Sequence, residues 1–255
     1  MNIDVSELDV SFGSLAALQG VACRMPAGRI TAVIGPNAAG KTTLLRCIAG
    51  VLEPQRGDVR LDGVPVHSMQ PAARARRIAY LGQRSSVVGG HTVVEVVGFG
   101  GLAGRRNEER ILESLRDVGL EREASRRYQD LSAGQQQRVS LARTMYQVGG
   151  GRGGWLVLDE PFAAQDPREV VRILERLASW RAAGHSAVVA IHDLRIARAI
   201  SDEVVMVRGG RVFSTGQTSS ELVASRMSEL FEVPFVDTPS GPIAEFEPSA
   251  GPGTE

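Results

Sequence analysis

Lys41 is the only lysine among the 29 basic residues of this chain. It stands in Gly35-Pro36-Asn37-Ala38-Ala39-Gly40-Lys41-Thr42-Thr43, which fits the spacing G-x-x-x-x-G-K-[ST]. A compact ammonium reaches between the β- and γ-phosphates of a nucleotide, where a planar guanidinium is too bulky. Successive backbone N–H groups wrap the phosphates, and the N-terminus of a following helix adds positive potential. The Thr42 hydroxyl is placed to ligate Mg²⁺.

Trp155-Leu156-Val157-Leu158-Asp159-Glu160-Pro161 supplies the second piece. It reads as an apolar strand ending in two carboxylates. Asp159 would hold Mg²⁺ and Glu160 would face an attacking water. Together the two pieces define a P-loop nucleotidase with Mg²⁺ at the phosphates.

These residues need elements to position them. Ile30-Thr31-Ala32-Val33-Ile34 is a short apolar run typical of a buried parallel strand. From Thr43 to Ala49 the pattern predicts a helix with Leu44, Leu45 and Ile48 on one face, ended by Gly50 and Pro54. Ser132 and Gly134 open a helix running from Gln135 to Met145, presenting a hydroxyl and free N–H groups as an anion site.

Leu131-Ser132-Ala133-Gly134-Gln135-Gln136-Gln137-Arg138 resembles the LSGGQ signature of ATP-binding cassette proteins, the ATPase subunits of ABC transporters. Other family elements follow in order. Ser11-Phe12-Gly13 matches the position that stacks on adenine, with Phe12 in place of the commoner Tyr. Ile78 to Gln83 resembles the Q-loop strand; Gln83 would touch Mg²⁺ and the water site, and the residues after it would face a membrane partner. Ala163-Ala164-Gln165-Asp166 occupies the D-loop, and Val188 to Asp193 resembles the H-loop, with His192 reaching the γ-phosphate. The resemblance runs from about Ile3 to about Pro234.

The resemblance implies an α/β fold: a RecA-like P-loop NTPase core (1–83 and 150–236), an N-terminal antiparallel β subdomain and an inserted α-helical subdomain (84–149). It implies a head-to-tail homodimer with two ATP sandwiched. Lys41, Thr42, Gln83, Asp159, Glu160 and His192 would act from one subunit. Ser132, Ala133, Gly134, Gln135 and Asp166 would act from the other. Three departures stand out. Ala38 replaces a frequent Gly at a position free in the motif. Ala133 replaces the first signature Gly and puts a methyl group near the phosphate face. Gln165 replaces the D-loop Leu and is expected to alter the dimer seam.

Composition sets outer bounds. The 255 residues, 43% hydrophobic, suit one compact unit with a full core. A formal net charge of zero gives no argument for nucleic-acid binding. No apolar run approaches the roughly 20 residues that span a bilayer, and the N-terminus lacks the pattern of a signal peptide. Cys23 and Cys47 are isolated and read as free thiols, Cys47 facing the core.

Along the chain, Met1 to Gly28 looks like antiparallel strands, with another strand within 57–63. The section 84–149 has helical periodicity, with Ile111, Leu112, Leu115 and Val118 on one apolar face. Gly149 to Gly154 reads as a solvated loop, and 168–183 as a helix with Val171, Leu174 and Leu177 inward. Asp202 to Val207 is a further strand. The stretch from about Asp237 to Glu255 is rich in Pro, Gly, Ser and Glu and is expected to be disordered.

Cargo lies beyond the site chemistry, because a cassette touches ATP and not the transported molecule. Ala79 to Ser85, Thr92 to Val97, Leu131 to Val139 and Ser228 to Pro234 are similar to the ATPases of importers for iron-siderophores, haem and cobalamin. That likeness implies permease subunits, an external substrate-binding protein and a peripheral place on the cytoplasmic face of the plasma membrane. Two other readings share the motifs: a soluble ABC ATPase of the iron–sulfur assembly type, and the ATPase of an exporter.

Overall fold

The computed structural model describes residues 2–83, 87–103, 106–151 and 153–245. The chain opens with antiparallel strands β1 (Ile3–Phe12) and β2 (Leu15–Met25). Strand β3 (Ile30–Ile34) feeds the phosphate loop and helix α1 (Lys41–Ile48). β4 (Arg56–Leu61) and β5 (Val64–Pro65) return to the first sheet. Short α2 (Pro71–Ala75) and β6 (Ile78–Leu81) lead to α3 (Val93–Gly98), α4 (Glu108–Asp117) and α5 (Ala133–Val148). The chain then runs through β7 (Trp155–Asp159), α6 (Pro167–Ala182), β8 (Ser186–Ala190), α7 (Leu194–Ile200) and β9 (Glu203–Arg208). β10 (Arg211–Gln217), α8 (Thr218–Glu221), α9 (Ala224–Phe231) and a hairpin of β11 (Phe235–Thr238) and β12 (Gly241–Ala244) complete it.

The six-stranded sheet has the order β10-β9-β3-β8-β7-β6. All neighbours are parallel except the antiparallel pair at the β10 edge. A parallel sheet covered on both faces needs apolar side chains on both faces. The alternation is visible here. Val33, Trp155, Val157, Val188 and Val205 share one core with α1 and the antiparallel sheet β2-β1-β4-β5. Ala32, Ile34, Leu156, Leu158, Val189 and Met206 share the other with α3 to α7. Fully buried Trp155 anchors the first core, and Cys47 is buried within it.

Register aligns the strand ends. Val33 pairs with Ala190, and Ala190 with Asp159. The phosphate loop, the acidic pair and His192 therefore leave the sheet at one level, the C-terminal edge where ligands bind in open α/β sheets.

Between β6 and β7 the described residues carry helices, as expected for 84–149. Helix α5 packs against both the neighbouring helices and the segment at β6. Its buried side chains meet α3 and α4, and Gln147 near its end donates to the carbonyls of Ala75 (2.9 Å) and Ile78 (3.1 Å) beside β6. Residues 84–86, expected to face a membrane partner, lie outside the described residues.

Three expectations need correction. In α4, Ile111 and Leu115 are buried, with Val118 behind them, but Leu112 lies on the solvent rim. In α6 Leu174 and Leu177 face the core as expected, joined by Ile173 and Trp180, but Val171 does not. Val171 is 53% exposed, because two residues from Ile173 is the opposite face of a helix. The segment after Asp237 is not wholly disordered: 237–244 belongs to the β11–β12 hairpin, and 246–255 lies outside the described residues. The Asp237 carboxylate also accepts from the Ala224 N–H at the start of α9 (2.9 Å).

Candidate active site

Gly35 and Gly40 shape the loop by close approach. A Cβ on Gly35 would run into the Val207 carbonyl, and one on Gly40 would lie 2.6 Å from the Ala17 carbonyl oxygen. Ala38 between them has φ +60°, the left-handed region that favours glycine. The position is free in residue type but not in conformation. Lys41 opens α1 with its side chain folded over the loop, Nζ donating to the carbonyls of Gly35 (2.7 Å) and Pro36 (2.8 Å). Burial pushes its pKa down, while Glu160 and Asp159 pull it back up.

An open cleft of about 310 Å³ brings together part of the predicted set, while Gly35, Pro36 and Asp159 do not line it. Phe12 lines it beside Asn37 to Thr43, with Gln83, Glu160 and His192 across from them. Phe12 is 48% exposed, an aromatic face left open. Leu15, Ala16 and Ala17 of β2 also line the cleft and carry no motif that could have marked them.

Glu160 is the convergence point. Its Oε1 accepts from Gln83 Nε2 at 2.8 Å and lies 2.6 Å from His192 Nε2. A carboxylate only accepts, so Nε2 is the protonated ring nitrogen. The Glu160 backbone sits at φ +54°, and its carbonyl accepts from Gln137 Nε2 (2.9 Å) and the Ala163 N–H (3.2 Å). Holding a non-glycine residue there costs of order 1–3 kcal/mol, sustained only when surrounding bonds over-determine it.

Asp159 lies beneath, 1% exposed. Among the described residues neither carboxylate oxygen has a hydrogen-bond partner. Burial pushes its pKa up; the Thr42 and Tyr80 hydroxyls are near enough to favour the ionised form without closing a hydrogen bond. A buried carboxylate with empty acceptor sites beside a Thr hydroxyl fits a hard, oxygen-seeking cation.

The signature residues are elsewhere. Ser132 caps α5 in a capping box: its Oγ accepts from the Gln135 N–H (3.3 Å), and Gln135 Oε1 accepts from the Ser132 N–H (3.0 Å). Ser132 and Ala133 are exposed, Gly134 and Gln135 are half-buried, and none of the four lines the cleft. Asp166 caps α6 through the Glu169 N–H (3.0 Å) and is likewise outside the cleft. Gln165, expected at a dimer seam, is half-buried and spends its amide within its own chain.

A phosphate loop after β3, with an acidic pair two strands away at the end of β7, defines the fold and site as those of a P-loop NTPase. Residues 18–163 match the family model described as ABC transporter. The hemin import ATP-binding protein HmuV of Pseudomonas entomophila is 36% identical over 242 residues, covering 93% of this chain and 95% of that protein. The HmuV protein of Jannaschia sp. is 35% identical over 235 residues, covering 90% and 87%. A solved ATP-binding subunit of an ABC transporter superposes with a TM-score of 0.77 at 25% identity, covering 92% of this chain and 96% of that one. The chain belongs to the ABC transporter family, as an ATP-binding and ATP-hydrolysing subunit. Among the described residues no helix is long and apolar enough to cross a membrane.

Proposed function

We propose that this chain powers haem import as one of two identical cassettes that close head-to-tail over two ATP molecules on the cytoplasmic face of the membrane. The relatives named for hemin import, at 35–36% identity across nearly the whole chain, support the cargo. One observation carries the dimer. The cleft holds the loop, Gln83, Glu160 and His192, while Ser132 to Gln135 and Asp166 present themselves outside it. One chain therefore leaves the nucleotide face open, and a second chain's α5 N-terminus is the matching anion-binding donor. A solved cassette described as dimeric with ADP and Pi shares the fold, with a TM-score of 0.75 at 23% identity.

In this reading Phe12 stacks on adenine, and Lys41 exchanges the Gly35 and Pro36 carbonyls for β- and γ-phosphate oxygens. Thr42, Asp159 and Gln83 would hold Mg²⁺, which supplies charge neutralisation on the phosphates. Gln83 and His192 both take Oε1 of Glu160, leaving Oε2 to accept a proton from the attacking water. Ser132 and the N–H groups after it close on the γ-phosphate of the partner's nucleotide. Tighter binding of ATP by the closed dimer supplies the stroke that permease subunits, fed by an external binding protein, convert into transport.

The test is growth of the native cell on haem as sole iron source after deletion of this chain, with a pull-down of tagged Glu160→Gln protein from membranes with MgATP. Loss of growth on haem alone, with recovery of a multi-span permease, supports the reading. Loss of growth only on a siderophore or of cobalamin uptake overturns the cargo. Recovery of soluble scaffold proteins without a permease overturns the transport role.

A further inference from the structure

Gln165 sits in a chain of side-chain bonds of fixed direction. Arg138 Nη1 donates to Gln165 Oε1 at 3.0 Å, and Arg138 is itself held by Glu169 at 3.3 Å. A guanidinium only donates, so the Gln165 oxygen must face it. The Gln165 amide nitrogen is thereby turned to the Gly134 carbonyl (3.2 Å) and to Gln137 Oε1 (3.0 Å). With its oxygen occupied, Gln137 turns its own nitrogen to the Glu160 carbonyl (2.9 Å). The backbone is close-packed at the same place: a Cβ on Gly134 would lie 2.9 Å from the Ala164 carbonyl oxygen.

We propose that Gln165 is a positioning residue that, through Gln137, ties the first turn of the signature helix α5 to the backbone of Glu160 in the same subunit. The proposal rests on Glu160 being the residue that orients the attacking water. Glu160 holds a left-handed backbone, so the direction of its carboxylate depends on how its carbonyl is anchored. One anchor comes from Gln137, and the orientation of the Gln137 amide is set by Gln165. Gly134 is bonded to the same amide, so displacement of the α5 N-terminus is transmitted to Glu160. Leucine at position 165 could make none of these bonds.

The Gln165→Glu substitution keeps the shape and the Arg138 partner but has no N–H to donate. The Gln137 amide then turns its nitrogen toward the new carboxylate and its oxygen toward the Glu160 carbonyl, breaking the anchor. The expected result is a fall in kcat on the order of 10- to 100-fold with KM for ATP changed less than about twofold. Made in a Gln137→Leu background, the same substitution should change kcat less than about twofold, because the link is already cut. Equal losses in both backgrounds, or no loss in the native background, would overturn the proposal. Should Gln165→Glu not fold, Gln165→Leu enters the same cycle with the same two outcomes. Glu160→Gln is run alongside. If it hydrolyses ATP normally, the Glu160 assignment fails; if it is inactive while Gln165→Glu is fully active, only the relay fails.

Discussion

Nε2 of His192 lies 2.6 Å from Oε1 of Glu160, 32 residues away in sequence. Gln83, 77 residues from Glu160, donates to the same oxygen. One carboxylate oxygen is thus held from both neighbouring strand ends, and the proposed proton transfer falls to the other. Glu160→Gln is expected to lower kcat by on the order of 10²–10⁴ while ATP still binds. His192→Ala, which loosens the carboxylate without removing it, should cost less, about 10- to 100-fold. Phosphate release and equilibrium binding of a fluorescent ATP analogue check both, and a Glu160→Gln protein with native turnover would sink the assignment.

Asp159 carries a stability cost that a cation would relieve. Its carboxyl is raised above the ordinary 3.8 by burial, so the fold prefers the protonated form. That preference is fully met below 3.8 and is lost as pH rises through the higher folded value. Asp159→Asn should therefore melt higher than the native chain at pH 7 without nucleotide, by roughly 2–4 °C for each kcal/mol relieved. The same variant should lose the extra stabilisation that MgATP gives over ATP alone. Thermal melts with and without Mg²⁺ decide it; an unchanged Mg²⁺ increment would remove Asp159 from the metal site.

Lys41 offers a direct chemical probe, because it is the only lysine in the chain. Burial lowers its pKa, so more of the neutral, reactive amine is present near neutral pH than on an exposed lysine. A lysine-directed acylating reagent should modify it in the free protein and be excluded by MgATP. Peptide mapping by mass spectrometry reads the result. Lys41→Arg should weaken ATP binding more than tenfold, the scale of a lost charge-assisted bond of about 1.5–3 kcal/mol.

Ala38 sits at φ +60°. A left-handed alanine costs roughly 1–2 kcal/mol, and glycine gives back about 0.5–1 kcal/mol through its freer unfolded chain. Ala38→Gly should therefore be neutral to stabilising, by up to about 1 kcal/mol, with ATP turnover retained. Denaturant melts would show it, and a loss of stability would mean that the alanine methyl is packed rather than strained.

The sequence alone determined the chemistry. Gly35 to Thr43, Asp159-Glu160 and Leu131 to Arg138 are contiguous words whose residue types are dictated by phosphate, metal and helix-cap chemistry. The strands at 30–34 and 155–159 were legible because burial on both faces demands unbroken apolar runs. The tertiary structure decided what depends on neighbours distant in the chain. Gln83, Glu160 and His192 meet only because β6, β7 and β8 lie side by side in parallel register, a pairing that no local pattern encodes. Composition read 237–244 as a tail, whereas Pro239 and Gly241 serve the turn of a hairpin, Gly241 taking φ +116°. The side chain of Gln165, in the loop before α6, could not be placed from its residue type, because its direction is set by Arg138 on α5. Spacing along a chain fixes which groups are present; packing fixes which of them face one another.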